Sequence, residues 1–268
     1  RVLSRFSMDG AKSTSMPAPE KVQLSKSQSP PPDDADANAR AKTRPFRSAV
    51  GSLLYAALGS RPDIMHAVIS LAQFNANHGD EHWTAVKHCF RYLVGTKSWG
   101  LTYTSTPGDT VNITAYCDSD WAGDPDTRKS RSGGVIILAG NPVIWISKTQ
   151  ATIALSSCEA EFVALCETIK EIVWLLHFLK ELNIPHNNPI PLYIDNMAAL
   201  ALSQDPVNHR SSKHIDLKFK FICATVEAGK VEPIYIPTAD NIADLFTKST
   251  SIAVFRKLIG KLVSDTKQ

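Results

Sequence analysis

Apolar and polar positions follow one rhythm before Pro107 and another after it. The stretches "VNITAYC" (111–117), "GGVIILAG" (133–140) and "PVIWIS" (142–147) are short, rich in β-branched residues and bounded by turn formers, which predicts three strands, the last two joined by the tight turn "AGNP". Apolar residues then recur at helical spacing from about Ser157 to Leu182. A strand over 190–195, a short helix through Leu202, a helix ending at Gly229, a strand over 231–237 and a last helix from about Asp240 complete the order β-β-β-α-β-α-α-β-α. That order predicts an α/β fold whose mixed sheet is antiparallel at its start and joined by helical crossovers afterwards.

Upstream the pattern is helical. "SAVGSLLYAALGS" forms one apolar segment, Pro62 sits where a first-turn proline opens a helix through Phe74, and Asp80 is placed to cap a helix over 81–94. Residues 11–44 are rich in Ser, Pro, Lys and Asp and poor in apolar side chains, so they read as a linker or loosely draped segment. The expected division is a linker over 1–44, a small helical cluster over 45–104 and an α/β domain over 111–268.

Composition narrows the class. In 268 residues, 43% hydrophobic and 21% charged, no apolar run approaches the roughly 18 residues of a membrane span. The chain starts at Arg1 without a methionine or a secretory signal and reads as a piece of something longer. Cys89, Cys117, Cys158, Cys166 and Cys223 form no C-x-x-C pair, which suits small buried thiols in a reducing compartment better than a disulfide framework or a zinc ribbon. Residues 1–110 carry 13 basic against 9 acidic side chains, and residues 111–268 carry 16 against 17. The second half, at −1, would grip a polyanion only through local basic loops or bound cations.

Asp118 and Asp195 each stand where a predicted strand ends, at the sheet edge where sites form in such folds. An aspartate there also serves as an ordinary turn residue. On the long helix, Glu161 lies at the margin of the apolar face with Leu165 and Ile172, whereas Glu159 lies farther round towards solvent. Asp240 is a natural N-cap for "NIADLFTK", and Asp244 has no capping duty. Strand parity does not choose between Asp118 and Asp120, because both share the face of Thr114 and Tyr116.

Five stretches carry a resemblance: "YCDSDWAGDPDTRKSRSGG", "WISKTQATIALSSCEAEFVAL", "LYIDNMAALAL", "SSKHIDLKFKFI" and "IPTADNIADLFTK". From Thr114 onward the chain resembles the ribonuclease H domain of copia-type retrotransposon Pol polyproteins, and the part up to Tyr103 resembles the end of the reverse transcriptase. The resemblance implies a ribonuclease H-like five-stranded mixed sheet preceded by a thumb-like helical segment. It implies that Asp118, Glu161, Asp195 and Asp244 bind metal, and it alone selects Asp118 over Asp120.

Such a constellation suits hard divalent cations, and two Mg²⁺, or Mn²⁺ in their place, would clamp the attacking water and leaving oxygen of a phosphodiester. Two dications would also bring residues 111–268 from −1 to +3. The implied substrate is an RNA·DNA hybrid, the implied activity hydrolysis of its RNA strand, and the implied partners are the polyprotein's upstream polymerase domains, with neither a membrane nor a small-molecule cofactor. The implied setting is the cytoplasmic virus-like particle, or the nucleus. Arg128, Lys129 and Arg131 are placed to hold a backbone phosphate, and Ser119 and Asn196, next to two of the acids, are further candidate nucleic-acid contacts. The alternative is a catalytically silent nucleic-acid- or partner-binding remnant.

His78, His82, His88 and Cys89 lie close together but lack the order of a metalloprotease or zinc site, so they read as an ordinary helix surface. The polymerase's Tyr-x-Asp-Asp signature occurs nowhere in the sequence. Many cellular ribonucleases H carry a histidine just before the final acid; residues 237–243 here contain none, and His209 and His214 lie further upstream.

Overall fold

Alternation along residues 113–120 buries Ile113, Ala115 and Cys117 completely on one face and sets Thr114, Tyr116 and Asp118 on the other. In the computed structural model, which describes residues 2–20, 22–103, 110–204 and 213–266, this segment is the middle strand of a five-stranded sheet. We label its unit, residues 103–123 and 128–248, as β1 (Ile113–Asp120), β2 (Arg131–Leu138), β3 (Asn141–Thr149), α1 (Ser157–Glu181), β4 (Ile190–Ile194), α2 (Met197–Gln204), α3 (Lys213–Glu227), β5 (Val231–Tyr235) and α4 (Asp244–Thr247).

The strand order is β3-β2-β1-β4-β5. β1, β2 and β3 pair antiparallel, and β4 and β5 join parallel to β1. The β2–β3 connection is two residues, Ala139 and Gly140, both at positive φ (51° and 79°), a turn whose twist matches that of the flanking strands. α1 lays Leu165, Ile169 and Ile172 on Ala115, Cys117 and Ile136, forming the core with Leu192 and Ile222. Burial of this apolar surface stabilises the unit by about 25 cal/mol per Å².

Two consecutive glycines let elements approach both faces of β2. A Cβ on Gly134 would sit 2.6 Å from Thr168 Oγ1 of α1, and one on Gly133 would sit 2.6 Å from Thr247 Cγ2 and 2.9 Å from the Ala243 carbonyl. Gly133 pairs with Asp118 and Gly134 with Cys117. The α4 turn is therefore seated directly over the β1 position that carries Asp118.

Residues 1–102, 124–127 and 249–268 form the other compact unit. Helices Phe46–Gly59, Met65–Ala72 and Asp80–Gly95 pack around Leu53, Ile64, Leu71 and Phe90. Pro62 opens a 3-10 turn that runs into the second helix. Between them lies a buried ion pair: Asp63 accepts from Arg61 Nη2 at 2.6 Å and from Tyr92 Oη at 2.7 Å, while Arg61 also donates to the Thr96 carbonyl and hydroxyl.

Five expectations are corrected. Residues 1–44 are not a loose linker: residues 35–43 are helical, and ring nitrogens of His78, His82 and His88 hydrogen-bond the carbonyls of Ala41, Ser25 and Met16. The same histidines are thus not an ordinary helix surface; His82 is fully buried against Phe74, 3.9 Å between ring centroids. Asp80 is the first helical residue rather than the cap, and His82 Nδ1 accepts from the Gly79 N–H instead. The expected last helix is broken into a 3-10 turn (Thr238–Asp240), α4 and Ile252–Ile259. That final helix belongs to the first unit, where Phe255 meets Tyr92 edge-on and Ser264–Asp265 pairs with Trp99–Gly100, so the unit boundary falls after Lys248 and not at the chain's end.

Candidate metal centre

β1 does not stop at its first acid but runs through Asp118 to Asp120. Asp118 is 1% exposed, beside Asp195 just beyond the end of β4 and Asp244 at the start of α4. One carboxylate oxygen from each of Asp118, Asp195 and Asp244 lies within 4.8 Å of the others. Glu161 stands next to this triad near the start of α1. Its neighbour Glu159 is used at the helix start, its side chain accepting from the Leu155 N–H at 2.8 Å while the N-cap Ser156 Oγ accepts from the Glu159 N–H. Glu161 faces inward, 7% exposed.

The charges of these acids oppose one another in a desolvated place. Burial, followed by the charges of Asp118 and Asp195, raises the Glu161 carboxyl to about 9. Burial and the charge of Asp118 raise Asp244 to about 7, and burial also raises Asp195. Glu161 Oε2 is buried without a hydrogen-bond partner. A set of oxygen donors held together against their own repulsion, with an orphaned oxygen among them, fits a hard divalent cation. The four acids are the residues that would hold it.

Neighbours orient the acids. Thr247 Oγ1 donates a hydrogen bond to Asp118 Oδ2, and a Thr238 side-chain hydrogen bond supports Asp195. Asn241, fully buried, donates from Nδ2 to the Cys117 carbonyl at 2.9 Å and accepts from the Ala243 N–H, which ties the segment before α4 to β1. Ser147 Oγ donates to the Phe246 carbonyl at 2.7 Å from the sheet side. Gln150 Nε2 bridges Ser132 Oγ and the Ala160 carbonyl, both at 2.9 Å, linking the hairpin to α1.

Lys248 escaped the sequence reading altogether. Its Nζ lies 3.0 Å from Asp244 Oδ1, an ion pair by distance without hydrogen-bond alignment, and 3.6 Å from Asp118 Oδ2. Burial lowers the ammonium's proton affinity, but the charges of Asp118 and Asp244 outweigh it and raise the group overall. Only the i,i+4 spacing of "DLFTK" hinted at a pairing with Asp244.

The expected nucleic-acid contacts divide. Arg128 is exposed, at positive φ (57°), and Lys129 is half-buried. Arg131 is not on an exposed turn: it is 8% exposed within β2, opposite Asp120. Ser119 is also buried, its hydroxyl 3.3 Å from Gln150 Nε2 and its backbone N–H donating to Glu161, so it braces the acids rather than facing solvent. Asn196 caps α2, accepting from the Ala199 N–H at 3.0 Å. Asp240 closes a 3-10 turn and does not begin α4. His209 lies outside the described residues, as does the side chain of His214.

A central strand flanked by an antiparallel hairpin on one side and two parallel strands on the other, with acids gathered at its end, defines a ribonuclease H-like domain. No protein-family profile matches the chain. It is 41% identical over 248 residues to the Retrovirus-related Pol polyprotein from transposon TNT 1-94 of Nicotiana tabacum, covering 92% of this chain and 18% of that protein. It is 38% identical over 217 residues to the corresponding polyprotein from transposon RE2 of Arabidopsis thaliana, covering 81% of this chain and 15% of that one. The chain belongs to the copia-type retrotransposon Pol polyproteins and spans less than a fifth of the length of these relatives. Among solved structures it is similar to LC11-RNase H1, isolated from compost (20% identity, TM-score 0.38, 57% of this chain and 99% of that one). It is likewise similar to the same enzyme in complex with an RNA/DNA hybrid (20% identity, TM-score 0.38, 50% and 93%).

Proposed function

We propose that the α/β unit is a Mg²⁺-dependent endonuclease that hydrolyses the RNA strand of RNA·DNA hybrids as part of a copia-type Pol polyprotein. The observation that carries this reading is the convergence of Asp118, Asp195 and Asp244 within 4.8 Å, with buried Glu161 beside them. When bound, a pair of divalent cations supplies an activated water and neutralises charge on the leaving oxygen.

The chain's own residues do the positioning. The four carboxylates hold the cations, Thr247 and Thr238 keep Asp118 and Asp195 turned inward, and the Asn241–Cys117 bond fixes the approach of Asp244. Exposed Arg128, with Lys129, is the natural holder of a backbone phosphate, since these contacts set register without reading sequence. Upstream polymerase domains of the polyprotein would deliver the hybrid.

The test is cleavage of a labelled hybrid with Mg²⁺ and again with EDTA. Activity should require the cation and fall at least about 100-fold in Asp118→Asn and Asp195→Asn. Near wild-type cleavage by either variant would refute the site; no metal-dependent cleavage by the wild type would favour a silent binding remnant.

A further inference from the structure

A buried group of acids needs a counter-charge whenever no metal is present, and here one side chain already supplies it. Lys248 reaches both Asp244 Oδ1 (3.0 Å) and Asp118 Oδ2 (3.6 Å), two of the three carboxylates that converge. The carboxylate side chains are only 2% and 4% exposed, whereas that of Lys248 is 36% exposed. These two acids are thus held inside, while Asp195 is half-buried and the Lys248 side chain reaches solvent.

Holding the acids in place does not depend on the lysine. Asp118 is kept by Thr247 Oγ1, and the turn that carries Asp244 by Asn241 and by the Ser147–Phe246 hydrogen bond. Gly133 admits this turn to the sheet without a Cβ in the way. The ammonium is therefore removable from the cluster without dismantling it.

We propose that Lys248 is an internal counter-ion of the carboxylate cluster that competes with the divalent cation for Asp118 and Asp244 and leaves towards solvent when the cation enters. This rests on the reading of the cluster as a metal site. An ammonium and a dication cannot share the same two oxygens without strong repulsion, so the lysine weakens metal binding while protecting the metal-free fold. Charge in the site is then never left wholly uncompensated.

The experiment uses the full chain. Mn²⁺ titrations followed by calorimetry or electron paramagnetic resonance compare wild type, Lys248→Met and Lys248→Arg, and thermal unfolding is recorded in EDTA and in excess Mn²⁺. Lys248→Met should bind Mn²⁺ about tenfold more tightly, melt at lower temperature in EDTA and show a larger metal-induced rise; Lys248→Arg should stay near wild type. Unchanged or weaker binding by folded Lys248→Met overturns the proposal even where the metal site itself stands. No Mn²⁺ binding by the wild type removes both the proposal and the metal-site reading.

A second measurement needs no variant. Mass spectrometry of the wild-type protein after brief treatment with an amine-acylating reagent should show Lys248 more reactive with Mn²⁺ than in EDTA, relative to exposed Lys148. Equal or lower reactivity with metal overturns the exchange.

Discussion

Glu161→Gln replaces a titratable carboxyl with a neutral amide of the same size, and its effect on stability is set by where the carboxyl sits. The group is 7% exposed, and burial with the charges of Asp118 and Asp195 lifts it to about 9. An unfolded glutamate titrates near 4.3. Because the folded value is the higher one, the native state keeps a proton that the unfolded chain has already lost. The stability this provides is fully present below about pH 4.3 and is lost as pH rises through about 9. One proton contributes a slope of at most about 1.4 kcal/mol per pH unit, so from pH 5 to 8 the upper bound is about 4 kcal/mol. Asp244, raised to about 7, adds a slope of the same sign in both proteins. The difference between their curves therefore reports Glu161 together with its coupling to the neighbouring acids. Guanidinium unfolding in EDTA at pH 5, 6, 7 and 8 should show the wild type losing stability more steeply than Glu161→Gln, and saturating Mg²⁺ should flatten the wild-type curve. Parallel curves for the two proteins in EDTA would refute the argument that repulsion and burial are stored at this residue.

Gly133→Ala should cost about 1–3 kcal/mol because the new Cβ would meet Thr247 Cγ2 at 2.6 Å and Phe246 Cβ at 3.0 Å; denaturation and the Mg²⁺-induced thermal shift should both suffer, whereas Gly51→Ala, with nothing within 4 Å, should not lower stability. Asp63→Ala leaves the Arg61 guanidinium buried without its partner and should destabilise the helical unit by about 3–5 kcal/mol, read by chemical denaturation. Purified protein should extend no primer, since the sequence lacks a Tyr-x-Asp-Asp hairpin; deoxynucleotide incorporation above background would contradict this. The pH–rate profile of hybrid cleavage should lack a histidine-dependent limb near about 6.5, because residues 237–243 contain no imidazole; a limb that disappears in His214→Ala or His209→Ala would show otherwise.

Local periodicity was sufficient for much of this molecule. Alternation of apolar and polar residues is enough to place β1 to β5, and a 3.6-residue repeat is enough to turn Glu161 inward and leave Glu159 on the outer side of the helix start, because both follow from backbone geometry within a single element. The resemblance selected Asp118 over Asp120, where parity is silent; the structure adds that Asp118 lies under the α4 turn, at the strand position opposite Gly133. What periodicity does not carry is any contact between elements distant in sequence. The hydrogen bond from Thr247 to Asp118, the Asn241 bond to β1 and the reach of Lys248 to two acids join α4 and its flanks to a strand more than a hundred residues away. The docking of residues 1–44 through three histidines and the assignment of Ile252–Ile259 to the helical unit are of the same kind. Burial of Ser119 and Arg131, and the use of Asn196 as a cap, likewise depend on which neighbours the fold brings near. A residue's type and spacing state what it can do; only packing decides which of those capacities remains exposed, and at this site packing brought a lysine that no periodicity marked beside two of the acids.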